Sequence, residues 1–257
     1  MIELIDTHAH LFAKEFDSDR NEVILRAKEC GVTKILLPNI DASTLGAMDQ
    51  LVASEQSYCL PMYGLHPCSV KNNFQKDLKT IENHMDQQKN GVAVGEIGLD
   101  YHWDTNFVNE QKRAFEDQIN WALDRNLPIA IHTRDSFEDA IELIEKHQNG
   151  DLRGVFHCFG GTVDEGKRIL DVGFYMGIGG VVTFKKSPHP QVLPEIPLSS
   201  VLLETDAPYL APQPFRGKRN ESSYLAKIAE KLASIYETSI GEIASYTSAN
   251  AQRLFNL

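Results

Sequence analysis

VAVGEIGLD, residues 92–100, is a near-continuous apolar run broken by one carboxylate, Glu96, with Gly95 just before it and Gly98 two residues after. Such a run reads as a strand buried on both faces, as in a parallel sheet covered by helices. Seven further short apolar runs share its character: ELIDTH (3–8), KILLPNI (34–40), CLPMYGLH (59–66), PIAIHT (128–133), GVFHCF (154–159), FYMGIGG (174–180) and SVLLETD (200–206). Amphipathic stretches between them predict helices over 17–30, 43–56, 75–89, 109–126, 135–149 and 162–172. A polar loop, APQPFRGKRNES (211–222), then leads to two more helical patterns, 222–236 and 239–255. Parallel neighbours require crossovers of about a dozen or more residues, and these helices supply them.

An open, doubly wound sheet would have the same strand count. The polar residues at the strand ends separate the two folds: His8 and His10, Asn39, His66, Glu96, His132, His157 and Asp206 each close an apolar run. In a barrel all of these meet at one rim, where active sites of that fold lie. An open sheet would spread them along a line. The reading is therefore a (β/α)8 TIM barrel, one domain over 1–257 with C-terminal helices, and 257 residues suit that fold.

A formal charge of −11 excludes a broad basic surface gripping nucleic acid by counterion release, so any contact with a polyanion must be local. Bound divalent cations can supply that local positive charge. The four cysteines form no CxxC pair, and no signal-like segment opens the chain. A cytoplasmic protein is expected, with no membrane span and no obligate protein partner.

His8 and His10 in DTHAH alternate at strand spacing and would point to one side, able to share an ion. Alone this pair is a weak signal, but His132 and His157 occupy the same relative place after their own apolar runs. Glu96 would be costly to bury alone. Either Arg134 or a backbone hydrogen bond satisfies it, or it bridges two metals among the four histidines, which is the preferred reading. Asp206 poses the same problem at the last strand, and Glu204 lies one layer deeper on the same face, placed to orient a ligand.

DTHAHL (6–11), GLHP (64–67), GEIGLDYHWD (95–104), IHTRD (131–135), HCFGG (157–161) and ETDAPYLAP (204–212) together resemble the TatD family of metal-dependent deoxyribonucleases, across essentially the whole chain. The resemblance implies an amidohydrolase-like barrel with two divalent ions, magnesium, manganese or zinc. It implies that His8, His10, Glu96 and Asp206 surround one ion, and Glu96, His132 and His157 the other. DNA ends, nicked strands or single-stranded DNA are the implied substrates. Two departures bear on the substrate loops: family members often carry serine at Gly160, and many carry proline at Ser222.

The expected reaction is metal-assisted phosphodiester hydrolysis with Asp206 and Glu96 as catalytic groups, Asp206 accepting the water's proton. His66 is expected to contact a substrate phosphate or a water at the metals, or else to cap the third strand. Arg134 would bind phosphate bidentately, or pair with Asp135 or Glu96. Arg216, Lys218 and Arg219 form a basic loop that either binds phosphate or is a solvated face. Trp103 and Tyr101 invite a base-stacking reading, with ordinary packing the simpler one. His102 is a candidate for an additional phosphate contact, while His84, His147 and His189 are expected to be surface or structural groups. The rival functions are hydrolysis of an amide, lactone or aminoacyl ester at the same metals, and a metal-binding protein without turnover.

Overall fold

A computed structural model describes residues 2–257. Eight parallel strands follow in chain order around one sheet: β1 Leu4–Asp6, β2 Val32–Pro38, β3 Cys59–Tyr63, β4 Ala93–Asp100, β5 Ile129–Arg134, β6 Gly154–Phe156, β7 Tyr175–Ile178 and β8 Val201–Leu203. The crossovers carry α1 Arg20–Glu29, α2 Leu45–Ser54, α3 Phe74–Gln88, α4 Val108–Arg125, α5 Phe137–His147, α6 Val163–Asp171 and the short α7 His189–Val192. α8 Leu225–Ile235 and α9 Ile240–Phe255 complete the (β/α)8 barrel. Apolar periodicity marks all of these helices except α7, whose four residues are too few to show a stripe; the longer ones have one, such as Phe74, Leu78, Ile81 and Met85 on α3.

The barrel closes beyond the ends of its two terminal strands. Thr7 N donates to Leu203 O at 3.0 Å, Asp206 N to His8 O at 2.8 Å and His10 N to Ala207 O at 2.7 Å, with a parallel bridge between Ala9 and Ala207. Asp6, wholly buried at this seam, accepts from Thr205 N at 2.9 Å and Thr205 Oγ1 at 2.6 Å. Burial, only partly offset by these bonds, pushes the Asp6 carboxyl up to about 7.

Inside the barrel, Ile5, Leu36, Met62, Ala93, Ala130, Val155 and Leu202 form one apolar layer, plugged by Ala251, Leu254 and Phe255 of α9. Asn250 Nδ2 donates to Leu198 O and Val201 O at 3.0 and 2.9 Å, fixing α9 at the N-terminal end of β8. Two residues beyond Ala130, Val155 and Leu202 come His132, His157 and Glu204, so the strand period of two carries the inward column from apolar floor to polar rim. No helix among the described residues is long and apolar enough to cross a membrane.

Candidate metal centre

β4 departs from that period where the chemistry begins. Its pairing with β5 shifts register between Val94 and Ile97, three residues of β4 opposing two of β5, and this irregularity brings Glu96 to the inward side beside Gly95, whose Cβ would meet Ala130 Cβ at 2.7 Å. Gly98 permits the close approach to β5: its φ is +133°, and a Cβ there would lie 2.1 Å from His132 O. β1 ends at Asp6, but backbone bonds to β2 and to the segment after β8 carry the chain on past it, and His8 and His10 turn to one side beside Asp206, their rings edge to face at 5.1 Å.

The two oxygens of buried Glu96 face two separate sets of donors. Oε2 lies 3.1 Å from His8 Nε2 and 3.5 Å from His10 Nε2, and these nitrogens lie 3.9 and 3.6 Å from Asp206 Oδ1. Oε1 lies 3.0 Å from His132 Nδ1, 2.9 Å from His157 Nε2 and 3.3 Å from His66 Nε2, with His132 Nδ1 and His157 Nε2 3.4 Å apart. Ligands held about 2.0–2.2 Å from a tetrahedral ion stand roughly 3.3–3.6 Å from each other, and the spacings here, 3.1–3.9 Å in the first set and 2.9–3.4 Å in the second, overlap that range.

Groups behind the rings decide which nitrogen faces inward. Pro38 O can only accept, so His10 Nδ1–H donates to it at 3.1 Å and Nε2 presents a lone pair to the centre. Asp100 Oδ2 takes the Nε2–H of His132 at 2.8 Å, leaving Nδ1 as the inward lone pair. His157 Nδ1 faces Glu204 Oε1 at 3.4 Å, and that oxygen is held by Cys158 N at 2.5 Å. His66 has the opposite polarity. Its Nδ1 accepts from Cys68 N at 3.1 Å, so neutral His66 carries its proton on Nε2 and is a donor to the centre. Outward acceptors with inward lone pairs are the arrangement that metal-ligating histidines use.

Electrostatics agree with this geometry. Burial would raise Glu96, but His66, His157 and His8 outweigh it and hold the carboxyl well below the usual range. Burial would lower His10, yet Asp206 and Glu96 raise it to about 9. His132 and His157 are likewise raised against burial, the first by Asp100 and Glu96, the second by Glu96 and Glu204. Lone pairs packed against carboxylates attract positive charge, as protons or as divalent cations. The donor set therefore fits metal ions.

A family model described as TatD related DNase matches residues 5–256. The chain belongs to this family. It is 41% identical over 255 residues to the metal-dependent hydrolase YabD of Bacillus subtilis, covering 99% of each chain. It is 32% identical over 260 residues to the 3'-5' ssDNA/RNA exonuclease TatD of Pantoea ananatis, covering 99% of this chain and 100% of that one. The crystal structure of YJJV, a TatD homolog from Escherichia coli K12, superposes with a TM-score of 0.93 at 28% identity, covering 100% of this chain and 99% of that one. The chain is thus a metal-dependent hydrolase.

Around this TatD-type centre the remaining candidates divide. His10, His66, Glu96, His132, Arg134, His157 and Asp206 line one cavity of about 710 Å³. Arg134 pairs with neither Asp135 nor Glu96 but lies over the Trp103 ring at 5.1 Å. Arg216 and Lys218 are exposed, Arg216 over Phe184 at 4.5 Å, which brings the loop after β8 against exposed Lys185 and Lys186 after β7. Arg219 is spoken for: it grips Asp19 with both terminal nitrogens, at 2.7 and 2.6 Å, and donates to Glu15 O. It anchors the loop to the segment before α1, which leaves Arg216 and Lys218 as the loop's exposed cations. His102 pairs with Asp135 at 2.9 Å, His84 with Asp49 at 2.6 Å, and buried His189 bonds Phe159 O at 2.6 Å.

The sequence reading passed over Asp100. It lies in the quoted run, but only the fold shows that one of its oxygens holds His132. Lys185 and Lys186 were also missed, because they become neighbours of Arg216 only across two rim loops.

Proposed function

We propose that this chain hydrolyses phosphodiester bonds at the ends of single-stranded nucleic acid, using two divalent ions. His8, His10, Glu96 and Asp206 would hold one ion, and Glu96, His132 and His157 the other. The observation that carries the reading is Glu96, each of whose oxygens faces its own set of ligand atoms. A relative named as an ssDNA/RNA exonuclease supports the substrate class. Paired ions in such a site activate water and neutralise charge on a phosphoryl group.

Asp206 is the proposed base. Burial would raise it, but His10 bonding and the His157 and His8 rings hold it low, so it is ionised and able to take a proton. His66, fixed as an Nε2–H donor, would bond a phosphoryl oxygen, and Arg134 would add a guanidinium beside it. Arg216 and Lys218 would receive the phosphates further along the strand.

The test incubates the purified protein with zinc, manganese or magnesium and end-labelled DNA and RNA oligonucleotides, single- and double-stranded, beside lactone, amide and aminoacyl ester substrates. Stepwise shortening of single strands, stopped by chelator and restored by metal, is expected. Turnover of a carboxylic ester or amide with every oligonucleotide intact would overturn the reading.

A further inference from the structure

Six large hydrophobic side chains are exposed among the described residues, and three of them, Trp103 at 70%, Tyr209 at 48% and Leu210 at 40%, ring the cavity that holds the candidate ligands. Scattered surface apolars need no explanation, but this clustering at one polar site does. Trp103 packs little of its indole into the fold, contrary to the simpler expectation from sequence. Its ring has the Arg134 guanidinium over it at 5.1 Å and His102 at its edge, 5.1 Å away at 89°.

Asp100 ties the backbone of Trp103 to the metal centre. One oxygen, Oδ2, takes His132 Nε2–H at 2.8 Å, while Oδ1 accepts from His102 N at 3.0 Å and Trp103 N at 3.2 Å. A single carboxylate therefore positions both a candidate ligand and the exposed aromatic residue. Burial would raise it, but His132 and the two amides hold it ionised, at about 2. An aromatic face, a guanidinium and a phosphoryl-activating centre side by side match the parts of one nucleotide: base, backbone phosphate and scissile bond.

We propose that Trp103, backed by Arg134, is the platform on which the unpaired base beside the reacting phosphate stacks. The inference rests on the single-stranded nucleic acid reading above and deepens it. Stacking is tolerant of sequence because every base has a π-face, so the platform selects for an unpaired base and not for a particular one. A base already paired and stacked in a duplex cannot offer that face.

The test compares steady-state kinetics of the parent, Trp103→Ala, Trp103→Leu and Trp103→Phe. Each acts on a single-stranded oligonucleotide with ordinary bases and on one whose base beside the cleaved bond is replaced by an abasic site. On the ordinary substrate, the Ala and Leu variants should raise KM about 5- to 150-fold with a much smaller change in kcat, and Phe should recover much of the loss. On the abasic substrate the parent should itself be weakened, and the further loss from Ala or Leu should shrink toward twofold. Equal losses on both substrates, including a uniform loss from altered folding, would overturn the platform, as would an unchanged KM on the ordinary one. A parent that shortens no oligonucleotide would instead remove the substrate reading, and the platform with it.

Discussion

Asp206 has a left-handed backbone, φ +56°, a conformation that asparagine accepts as readily as aspartate. Asp206→Asn should therefore keep the fold while losing the proton acceptor. At saturating metal its kcat should fall at least roughly 100-fold, the lower end of general-base contributions. A rate within a few-fold of the parent would pass the role to another group. Glu96→Ala should abolish turnover and lower bound metal from two ions toward one or none, counted by native mass spectrometry. Full occupancy in that variant would remove the bridge. Asp100→Ala frees the Nε2–H of His132 and should weaken metal binding about 10- to 100-fold in a competition titration, as loss of a ligand's orienting partner commonly does.

On the scale of elements, β4 is the constrained strand. Both of its faces are buried, its register with β5 shifts around Glu96, and Gly98 brings it against His132 O. A methyl group at Gly98 must move β5 or abandon the +133° φ. Gly98→Ala should therefore lower unfolding free energy by at least about 2 kcal/mol in urea melts, and should loosen the rim that carries Glu96 and His132. A loss below about 0.5 kcal/mol would show that the strand can relax. Gly177 on β7 is constrained by space alone, since its Cβ would meet Glu204 Oε2 at 2.1 Å. These two strands approach the site by omitting side chains.

For the whole molecule, the charged rim links stability to pH and metal. In the metal-free protein His10 titrates near 9, above its ordinary 6.5, and His132 and His157 are also raised. Between about pH 7 and 9 the folded chain thus holds more protons than the unfolded one, and stability falls as pH rises. The lowered histidines, His8 and His66, are neutral in the folded state and lose most of their remaining unfolded-state charge just above pH 7, so they oppose the trend only at the lower edge of this window. Metal displaces the same protons, so its apparent affinity grows with pH. The gap in Tm between metal-free and metal-loaded protein, at a fixed buffered concentration of free zinc, should widen from pH 7 to 9 by scanning calorimetry. A constant or narrowing gap would contradict the assignment of these rings as ligands.

Periodicity in the chain by itself determined the eight strands, the helices between them apart from the short α7, and the rim to which His132, His157 and Asp206 belong. These are local properties, because burial on both faces writes an apolar run and burial on one helical face writes a stripe. Tertiary structure alone decided the rest. Simple alternation from Ala93 aims Gly95 inward, and only the pairing of β4 with β5 brings Glu96 there beside it. Only the seam between β1 and β8 brings His8 and His10 to Asp206, nearly two hundred residues away. Arg219 and Arg216 look alike in a basic loop, yet one meets Asp19 and the other stays exposed. Trp103 is a large apolar side chain for which packing is the simpler expectation, and it still faces solvent. In each case a neighbour distant in sequence supplies the deciding hydrogen bond, charge or volume, and a local pattern contains no record of that neighbour.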